Sequence, residues 1–306
     1  MTEPCKKFRL ALLVMLGIFS IASTHAEDKN SPVSWEQLSA LPKPPADHVI
    51  NYGPGKYQFG ELRLPSGNGP HPVVVFVHGG CWLSDFDLGM AANLSGELAR
   101  AGIASWTVEY RRIGNDGGAW PGTMHDLSNS IEHLRKIAPE HGLDLSRVVL
   151  MGHSAGGHLV LWYAAKNNLD ASSEFHNSNP LEISGVVPLA AISNLSTYRH
   201  EYDTQDCNTG VPGLLKAEPE DVPERMAQVN PVELLPLNVP VRMVHGAADV
   251  LVPLRQSTAF LLEARKAGDD ITLAVVDGAG HFDVIAPIST AWKIIMRETR
   301  QLLGME

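Results

Sequence analysis

Short runs of consecutive apolar residues alternate with longer amphipathic segments along most of the chain. A run of five or six apolar residues rich in valine and isoleucine is typical of a strand buried on both faces. Shorter polar–apolar alternation over residues 57–64 predicts an exposed antiparallel strand instead. The pattern therefore predicts one antiparallel strand and six buried strands, the latter at residues 73–77, 104–108, 148–151, 183–189, 239–244 and 271–276.

Amphipathic segments follow most of these runs. Apolar residues at positions 127, 131, 134 and 137 recur at helical spacing, so residues 124–137 are predicted to form one helix. Similar patterns predict helices at residues 90–101, 155–165, 254–267 and 291–303. Strands that alternate with helices indicate βαβ units, whose right-handed crossovers build a mostly parallel, doubly wound sheet with helices on both faces. Functional residues in such folds gather at the carboxyl ends of the strands.

Two regions depart from this alternation. Residues 27–50 are polar and proline-rich, which predicts an extended leader or linker before a domain at 51–306. Residues 193–237 lose clear periodicity, although 224–229 keeps a helical pattern. An interruption of this length in a compact domain usually has a function. We expect a small cap over the site, and the alternative is a plain surface insertion.

The first 26 residues have the pattern of a secretory signal peptide. Lys6, Lys7 and Arg9 precede an apolar run at residues 10–22, and Thr24-His25-Ala26 resembles a small-x-small cleavage site. The run is too short to span a bilayer comfortably. We expect a cleaved signal at 1–26, a periplasmic or secreted protein, and no stable membrane span after cleavage; the alternative is an uncleaved anchor.

The composition limits the function classes. With 44% hydrophobic residues among 306, the chain can bury a sizeable core, and its formal net charge is −10. Loss of residues 1–26 would remove three basic side chains and Glu3, and would move that charge to −12. Since phosphate binding needs clustered lysine and arginine, this acidic balance argues against a nucleic-acid partner.

Cysteine and histidine spacing gives no sign of a metal or other cofactor. No C-x-x-C or H-E-x-x-H pattern occurs, so we expect neither. Cys81 and Cys207 would remain after cleavage. They could pair in an oxidising compartment, but we expect free or partly buried thiols. The sequence does not indicate an oligomeric state.

The candidate nucleophile is Ser154. It lies in Gly-His-Ser-Ala-Gly-Gly, between a predicted buried strand and a predicted helix. In this context G-x-S-x-G is typical of a nucleophile elbow, a strand-to-helix turn so tight that the serine backbone is strained and its neighbours must be small. The alternative is a serine helix cap after a glycine turn.

A serine hydroxyl needs a base within hydrogen-bonding reach, and that base needs an orienting acceptor. His281 follows the last predicted strand, and Asp249 follows the strand before it, so both are expected at the edge where the serine lies. Asp283 competes with Asp249 but is too close to His281 in sequence to approach it from across that edge. The alternative role for Asp249 is a helix cap. Four other histidines are expected to brace loops or to pack in the core: His78, His153, His158 and His245. The side chain of His153, next to the serine, is expected to point away from the serine hydroxyl.

An oxyanion formed during acyl transfer needs preorganised N–H donors. Ala155, directly after the serine, is expected to supply one. Gly80 and Cys81 follow the strand at 73–77 and are expected to supply others, with Gly79 forming the turn. The alternative is an ordinary strand-to-helix loop.

These motifs together resemble the α/β-hydrolase superfamily over most of the chain that would remain after cleavage of residues 1–26. His78-Gly79-Gly80-Cys81-Trp82 is similar to the HGG-x-W signature of its esterase and arylformamidase (kynurenine formamidase-like) branch. The resemblance implies the α/β-hydrolase fold with a small cap, a Ser154–Asp249–His281 triad, and Trp82 with Gly79 beside the substrate. Trp120 and Tyr198 are further candidate pocket walls, although aromatic residues at such places are equally often core.

The implied activity is hydrolysis of a small-molecule carboxylic ester through an acyl-enzyme. The same triad would serve an arylformamidase acting on N-formyl aromatic amides, and the export signal favours esters. A binding protein on a hydrolase scaffold is the alternative from another class. Such a protein usually has a broken triad, whereas every catalytic residue type is present here.

Overall fold

A computed structural model describes residues 31–201 and 209–305, and in it the predicted α/β architecture is confirmed. Eight strands form one sheet in the order β1-β2-β4-β3-β5-β6-β7-β8. The β1–β2 and β2–β4 pairs are antiparallel, and every other pair is parallel. The strands are β1 His48–Asn51, β2 Phe59–Arg63, β3 His71–Val77, β4 Ala104–Val108, β5 Leu143–His153, β6 Gly185–Leu189, β7 Val241–Gly246 and β8 Ile271–Val276.

Helices connect these strands and cover the sheet. Contacts divide the chain into Met1–Ser31 and Pro32–Glu306, and every described helix and strand belongs to the second unit. The helices are α1 Trp35–Ala40, α2 Ala92–Arg100, α3 Gly122–Glu132, α4 Leu134–His141, α5 Ala155–Ala165, α6 Leu195–Glu201, α7 Gly210–Leu215, α8 Pro223–Val229, α9 Arg255–Ala267 and α10 Ala291–Leu302.

The two faces of the sheet carry separate hydrophobic clusters. Alternate residues of β3 divide between them: Val73, Val75 and Val77 belong to one, whereas Val74 and Phe76 belong to the other. Because successive side chains of a strand point to opposite faces, this division means that helices cover both sides. The all-apolar runs in the sequence follow from this double burial.

The strand register brings the loops that matter to one edge. Val77 at the end of β3 pairs with Gly152, and His153 at the end of β5 pairs with Leu189 of β6. Farther along, Gly246 pairs with Val276 at the ends of β7 and β8. Since these strands are parallel, the segments that follow them all leave from the same edge of the sheet.

Two predicted elements differ from the structure. The predicted helix at 124–137 is two helices, α3 and α4, although the interruption is slight because His133 keeps helical angles (φ −61°, ψ −24°). The predicted extended leader or linker at 27–50 is wrong for residues 35–40, which form α1, and for residues 48–50, which belong to β1. Helix α1 has a capping box, in which the Ser34 side chain accepts from Gln37 N–H and the Gln37 side chain accepts from Ser34 N–H.

The segment at 193–237 contains α6, α7, α8 and short 3-10 helices at Pro219–Asp221 and Pro231–Leu234. The predicted helical pattern at 224–229 corresponds to α8. No helix in the described parts of the chain is long and apolar enough to cross a membrane. The predicted signal peptide at 1–26 lies outside the described residues.

Candidate active site

Ser154 occupies the sharp turn between β5 and α5. Its backbone has φ 55° and ψ −118°, a combination that a residue with a Cβ rarely adopts, so the predicted strain is present. A Cβ on Gly152 would lie 2.2 Å from the carbonyl oxygen of Gly156, and one on Gly156 would lie 2.1 Å from that of Val77. The two glycines are therefore required by the closeness of the backbone around the serine.

His281 and Asp249 are in direct contact. The Nδ1 of His281 lies 2.7 Å from Oδ2 of Asp249, and both residues are buried. The other carboxylate oxygen of Asp249 accepts the N–H groups of Leu251 and Val252, each at 2.9 Å. With one oxygen fixed by the backbone, the second is held toward the imidazole and selects the tautomer that has its proton on Nδ1.

The pKa of Asp249 is lowered well below its ordinary value. Burial alone would raise it, but the nearby His281 and His245 and their hydrogen bonds outweigh that cost. His245 Nε2 donates to the carbonyl of Val252 at 2.8 Å and lies 3.4 Å from the carboxylate. Asp249 is thus held as an anion beside the imidazole.

His153 braces the loop that carries His281. Its Nε2–H donates to the carbonyl of His281 at 3.0 Å, and the centroids of the two rings are 4.4 Å apart. The bracing role expected from the sequence agrees with this contact. The expected orientation is wrong, because the residue lines the same cavity as Ser154. Burial, together with the nearby His281, lowers the pKa of His153 well below its ordinary value, which keeps the ring neutral.

The loop after β3 passes directly against the serine. A Cβ on Gly79 would lie 2.9 Å from the carbonyl oxygen of His153 and 3.0 Å from the Cβ of Ser154, so a larger residue would force the backbone to move. The next three residues all have positive φ: Gly80 at 103°, Cys81 at 54° and Trp82 at 59°. Gly80 and Cys81 line the cavity with Ser154. Ala155 is the first residue of α5, where an N–H has no acceptor within the helix.

A buried polar network behind this loop was not predicted from the sequence. Glu109 lies 3.2 Å from Nε2 of His78 and 3.1 Å from Nη1 of Arg112, and it accepts the N–H of Leu88. Burial would raise the pKa of Glu109, but His78 and Arg112 outweigh it and lower the value. Tyr110 donates its hydroxyl proton to the carbonyl of His78. A charged residue at the carboxyl end of buried strand β4 was the available signal.

The candidate catalytic residues and the loop after β3 lie around one cavity of about 490 Å³. It is lined by Ser154, His281, Gly80 and Cys81, together with a mostly apolar set of walls: Trp35, Leu83, Phe86, Met90, His153, Tyr198, Thr209, Leu251 and Phe282. Tyr198 and Thr209 come from the segment at 193–237, which supports its interpretation as a cap. In the described residues, no group of three or more His, Cys, Asp or Glu side chains is arranged to hold a metal.

Two expectations about the loop after β3 are wrong. Trp82 is fully buried and does not line the cavity; its ring packs edge-on against His158, at 5.3 Å between centroids. The ring of Trp82, two residues after Gly80, is buried in the hydrophobic core, so it supports the loop through packing and not through contact with a substrate. Cys81 is disulfide-bonded rather than free. Cys207 lies outside the described residues. Trp120 packs on Phe175, away from the cavity lining.

Comparison with known proteins identifies the family and the fold. The model of the BD-FAE family matches residues 61–263. An isoprenylcysteine alpha-carbonyl methylesterase, probable by its name, from Oryza sativa is 27% identical over 70% of this chain and 52% of its own length. Esterase LipC of Mycobacterium tuberculosis is 25% identical over 71% and 54%. The chain therefore spans about half the length of these curated relatives. Kynurenine formamidase of Drosophila melanogaster is 23% identical over 78% and 75%.

Solved structures share the fold. A truncated carbohydrate esterase from gut microbiota superposes with a TM-score of 0.73 at 20% identity, over 85% of this chain and 99% of that one. Esterase B from Lactobacillus rhamnosis, inhibited in its crystal, gives a TM-score of 0.72 at 20% identity, over 85% and 88%. Identities this low support the α/β-hydrolase fold alone. The resemblance to that superfamily, seen in the motifs, is confirmed by the fold and the family match.

Proposed function

The chain belongs to the BD-FAE family, and from that premise we propose that it is a serine hydrolase that cleaves carboxylic esters of small molecules. The main support is the 2.7 Å contact between His281 Nδ1 and Asp249, which leaves Nε2 of His281 for Ser154. Ser154 and His281 line the same cavity. The curated relatives named as esterases support the same reaction class.

The first half of the proposed reaction forms an acyl-enzyme. Ser154 Oγ attacks the ester carbonyl carbon while Nε2 of His281 takes the hydroxyl proton, and the carbonyl electrons move onto the oxygen. The N–H groups of Gly80, Cys81 and Ala155 are the proposed donors to that oxyanion. Loss of one such donor typically costs about 3 kcal/mol of barrier. Collapse of the intermediate breaks the C–O bond, and the alcohol leaves with the proton from His281.

The second half returns the enzyme to its starting state. Water attacks the acyl carbonyl as His281 takes one of its protons, and Ser154 leaves with that proton while the carboxylic acid departs. Asp249 stays ionised throughout and stabilises the imidazolium that forms in each half. Its lowered pKa is consistent with this role.

Formamide hydrolysis is the second candidate, favoured by the Drosophila relative named as a kynurenine formamidase. The acyl group would then be formyl and the leaving group an aryl amine, with the same residues in the same roles. Rates on N-formylkynurenine and on short acyl esters, measured side by side, separate the two candidates.

The test of the proposed function is the hydrolysis of p-nitrophenyl acetate by the wild type and by Ser154→Ala. Removal of a triad member typically costs about 10⁶-fold in kcat, so the variant should fall to the background rate. Ser193→Ala is a matched control, since that buried serine bonds Gln256 and does not line the cavity. Turnover by Ser154→Ala equal to the wild type would refute the proposal.

We also propose that residues 1–26 form a cleaved signal and that the protein is periplasmic or secreted. The basic residues, short apolar run and small-x-small site support this assignment. N-terminal sequencing of the exported protein should start at Glu27; retention of the first 26 residues would contradict it.

A further inference from the structure

The segment before the sheet reaches the candidate active site. Helix α1 begins at Trp35, and the indole of this residue lines the same cavity as Ser154 and His281. The ring lies 5.8 Å from that of Phe86 and 5.5 Å from that of Phe282, measured between centroids. These three rings, here called the aromatic wall, join the loop after β3 to the loop that carries His281.

The carboxylate of Asp283 fixes this segment to the His281 loop. Its Oδ2 accepts the N–H of Val33 at 2.9 Å and the N–H of Gly280 at 2.8 Å. Pro32 packs on Gly280 so closely that a Cβ there would lie 2.8 Å from the proline Cβ. The same carboxylate oxygen therefore sets the position of the base loop and of the chain just before Trp35.

Further contacts hold the rest of the segment in place. Leu38 of α1 is buried in the hydrophobic cluster that also contains Val74 and Phe76 of β3. The carbonyl of Pro42 accepts from Asn93, and that of Pro44 accepts from Arg63. A ring placed by a capped helix with a buried leucine is fixed relative to the cavity, so its position can select among substrates.

Trp35 also lines a second cavity. This cavity of about 180 Å³ is lined by Trp35, Phe86 and Met90, which line the first cavity too. Trp35 is 37% exposed, so it is not a packed core residue. Removal of the indole would leave a recess that continues from the catalytic cavity, with Phe86, Phe282 and Met90 beside it. On the side of the second cavity its lining also includes polar and charged residues, namely Ser39, Lys43, Asp85 and Asp87.

We propose that Trp35 is a specificity-determining residue that limits how far an apolar group of the ester substrate extends from the scissile carbonyl. This inference rests on the proposed function. The wall blocks extended alkyl groups on its side of the cavity. The wild-type enzyme thus favours esters whose group on that side ends before the indole.

The test compares selectivity in the wild type, Trp35→Ala, Trp35→Phe and Trp292→Ala. An acyl series pairs p-nitrophenyl acetate with p-nitrophenyl octanoate, and an alcohol series pairs ethyl acetate with octyl acetate. Trp292, in α10, lines a different part of the surface and is the matched control. Labelling by a fluorophosphonate probe normalises each preparation to its active sites.

For Trp35→Ala, kcat/KM for the long ester relative to the short one should rise about tenfold or more in one of the two series, as expected for a pocket that gains several methylene sites. The series that responds identifies which side of the ester faces the wall. Trp35→Phe should give a smaller rise, and Trp292→Ala should match the wild type.

The inference is overturned if neither ratio rises more than twofold in Trp35→Ala and Trp35→Phe while the wild type is labelled and hydrolyses esters. If Trp35→Ala does not fold, the ratios of Trp35→Phe decide alone by the same limit. A wild type that is neither labelled nor active would refute the proposed function, and the inference with it. The two failures are thereby distinguished.

Discussion

At the scale of single residues, the role of each buried carboxylate near His281 depends on the groups that it contacts. Asp249 and Asp283 are both buried and both close to His281 in space or sequence, yet their contacts differ. Asp249 faces the imidazole, whereas Asp283 accepts only backbone N–H groups among the described contacts, from Val33 and Gly280. Chain order and the edge of a parallel sheet were enough to prefer Asp249. The backbone role of Asp283 depends on a tertiary contact 250 residues away in sequence, which no local pattern reveals.

This difference predicts unequal effects of two isosteric substitutions. Asp249→Asn should lower kcat for ester hydrolysis by about 10⁴-fold, because an amide can stabilise the wrong imidazole tautomer and cannot balance the imidazolium. Asp283→Asn should cost much less, since its amide oxygen can still accept from the backbone. Steady-state kinetics on p-nitrophenyl acetate is the measurement. An equal or larger loss for Asp283→Asn would show that the acid has been assigned to the wrong residue.

At the scale of elements, the apolar runs predicted the buried strands because burial on both faces leaves a continuous hydrophobic signal. Strands β4 and β8 and helix α5 have the predicted bounds, β1 was not predicted, and the other strands differ from the predictions by one to five residues at one or both ends. Helix α1 was missed, since six residues with one buried leucine carry too little periodicity. Its capping box at Ser34 and Gln37 was the one local signal for it.

The loop after β3 shows how far a motif determines a site. Its glycines predicted a turn at Gly79 beside the N–H donors, whereas the close contact of Gly79 with Ser154 is seen only in the structure. The direction of Trp82 and the disulfide of Cys81 depend on what packs around the loop, so the spacing of the motif did not reveal them. The Glu109 network behind the loop likewise comes from β4, a neighbour in the sheet and not in sequence.

At the scale of the whole molecule, buried neutral histidines make stability depend on pH. Burial lowers the pKa of His158 to about 4, while its Nε2–H donates to the carbonyl of Val229. His153 is shifted in the same direction. In the unfolded chain each ring takes up a proton below about pH 6.5, whereas the folded rings stay neutral. The unfolded state then binds more protons, so stability is lost as pH falls below about 6.5 toward 4.

The expected size of this effect for His158 is roughly 3 kcal/mol of unfolding free energy between pH 7 and pH 4. His158→Gln, whose amide can still donate to Val229, should lose a corresponding part of the pH dependence. His48→Gln, at an exposed position, should keep it. Urea unfolding at several pH values measures both. An identical slope in His158→Gln and the wild type would show that this ring does not stay neutral in the folded protein.

Covalent labelling decides whether Ser154 is a nucleophile activated by His281. Treatment of the folded protein with a fluorophosphonate, followed by peptide mass spectrometry, should place one adduct on Ser154. His281→Gln should react far more slowly, as should wild type unfolded in urea. An adduct on any other residue, or none on folded wild-type protein, would show that Ser154 is not the activated nucleophile.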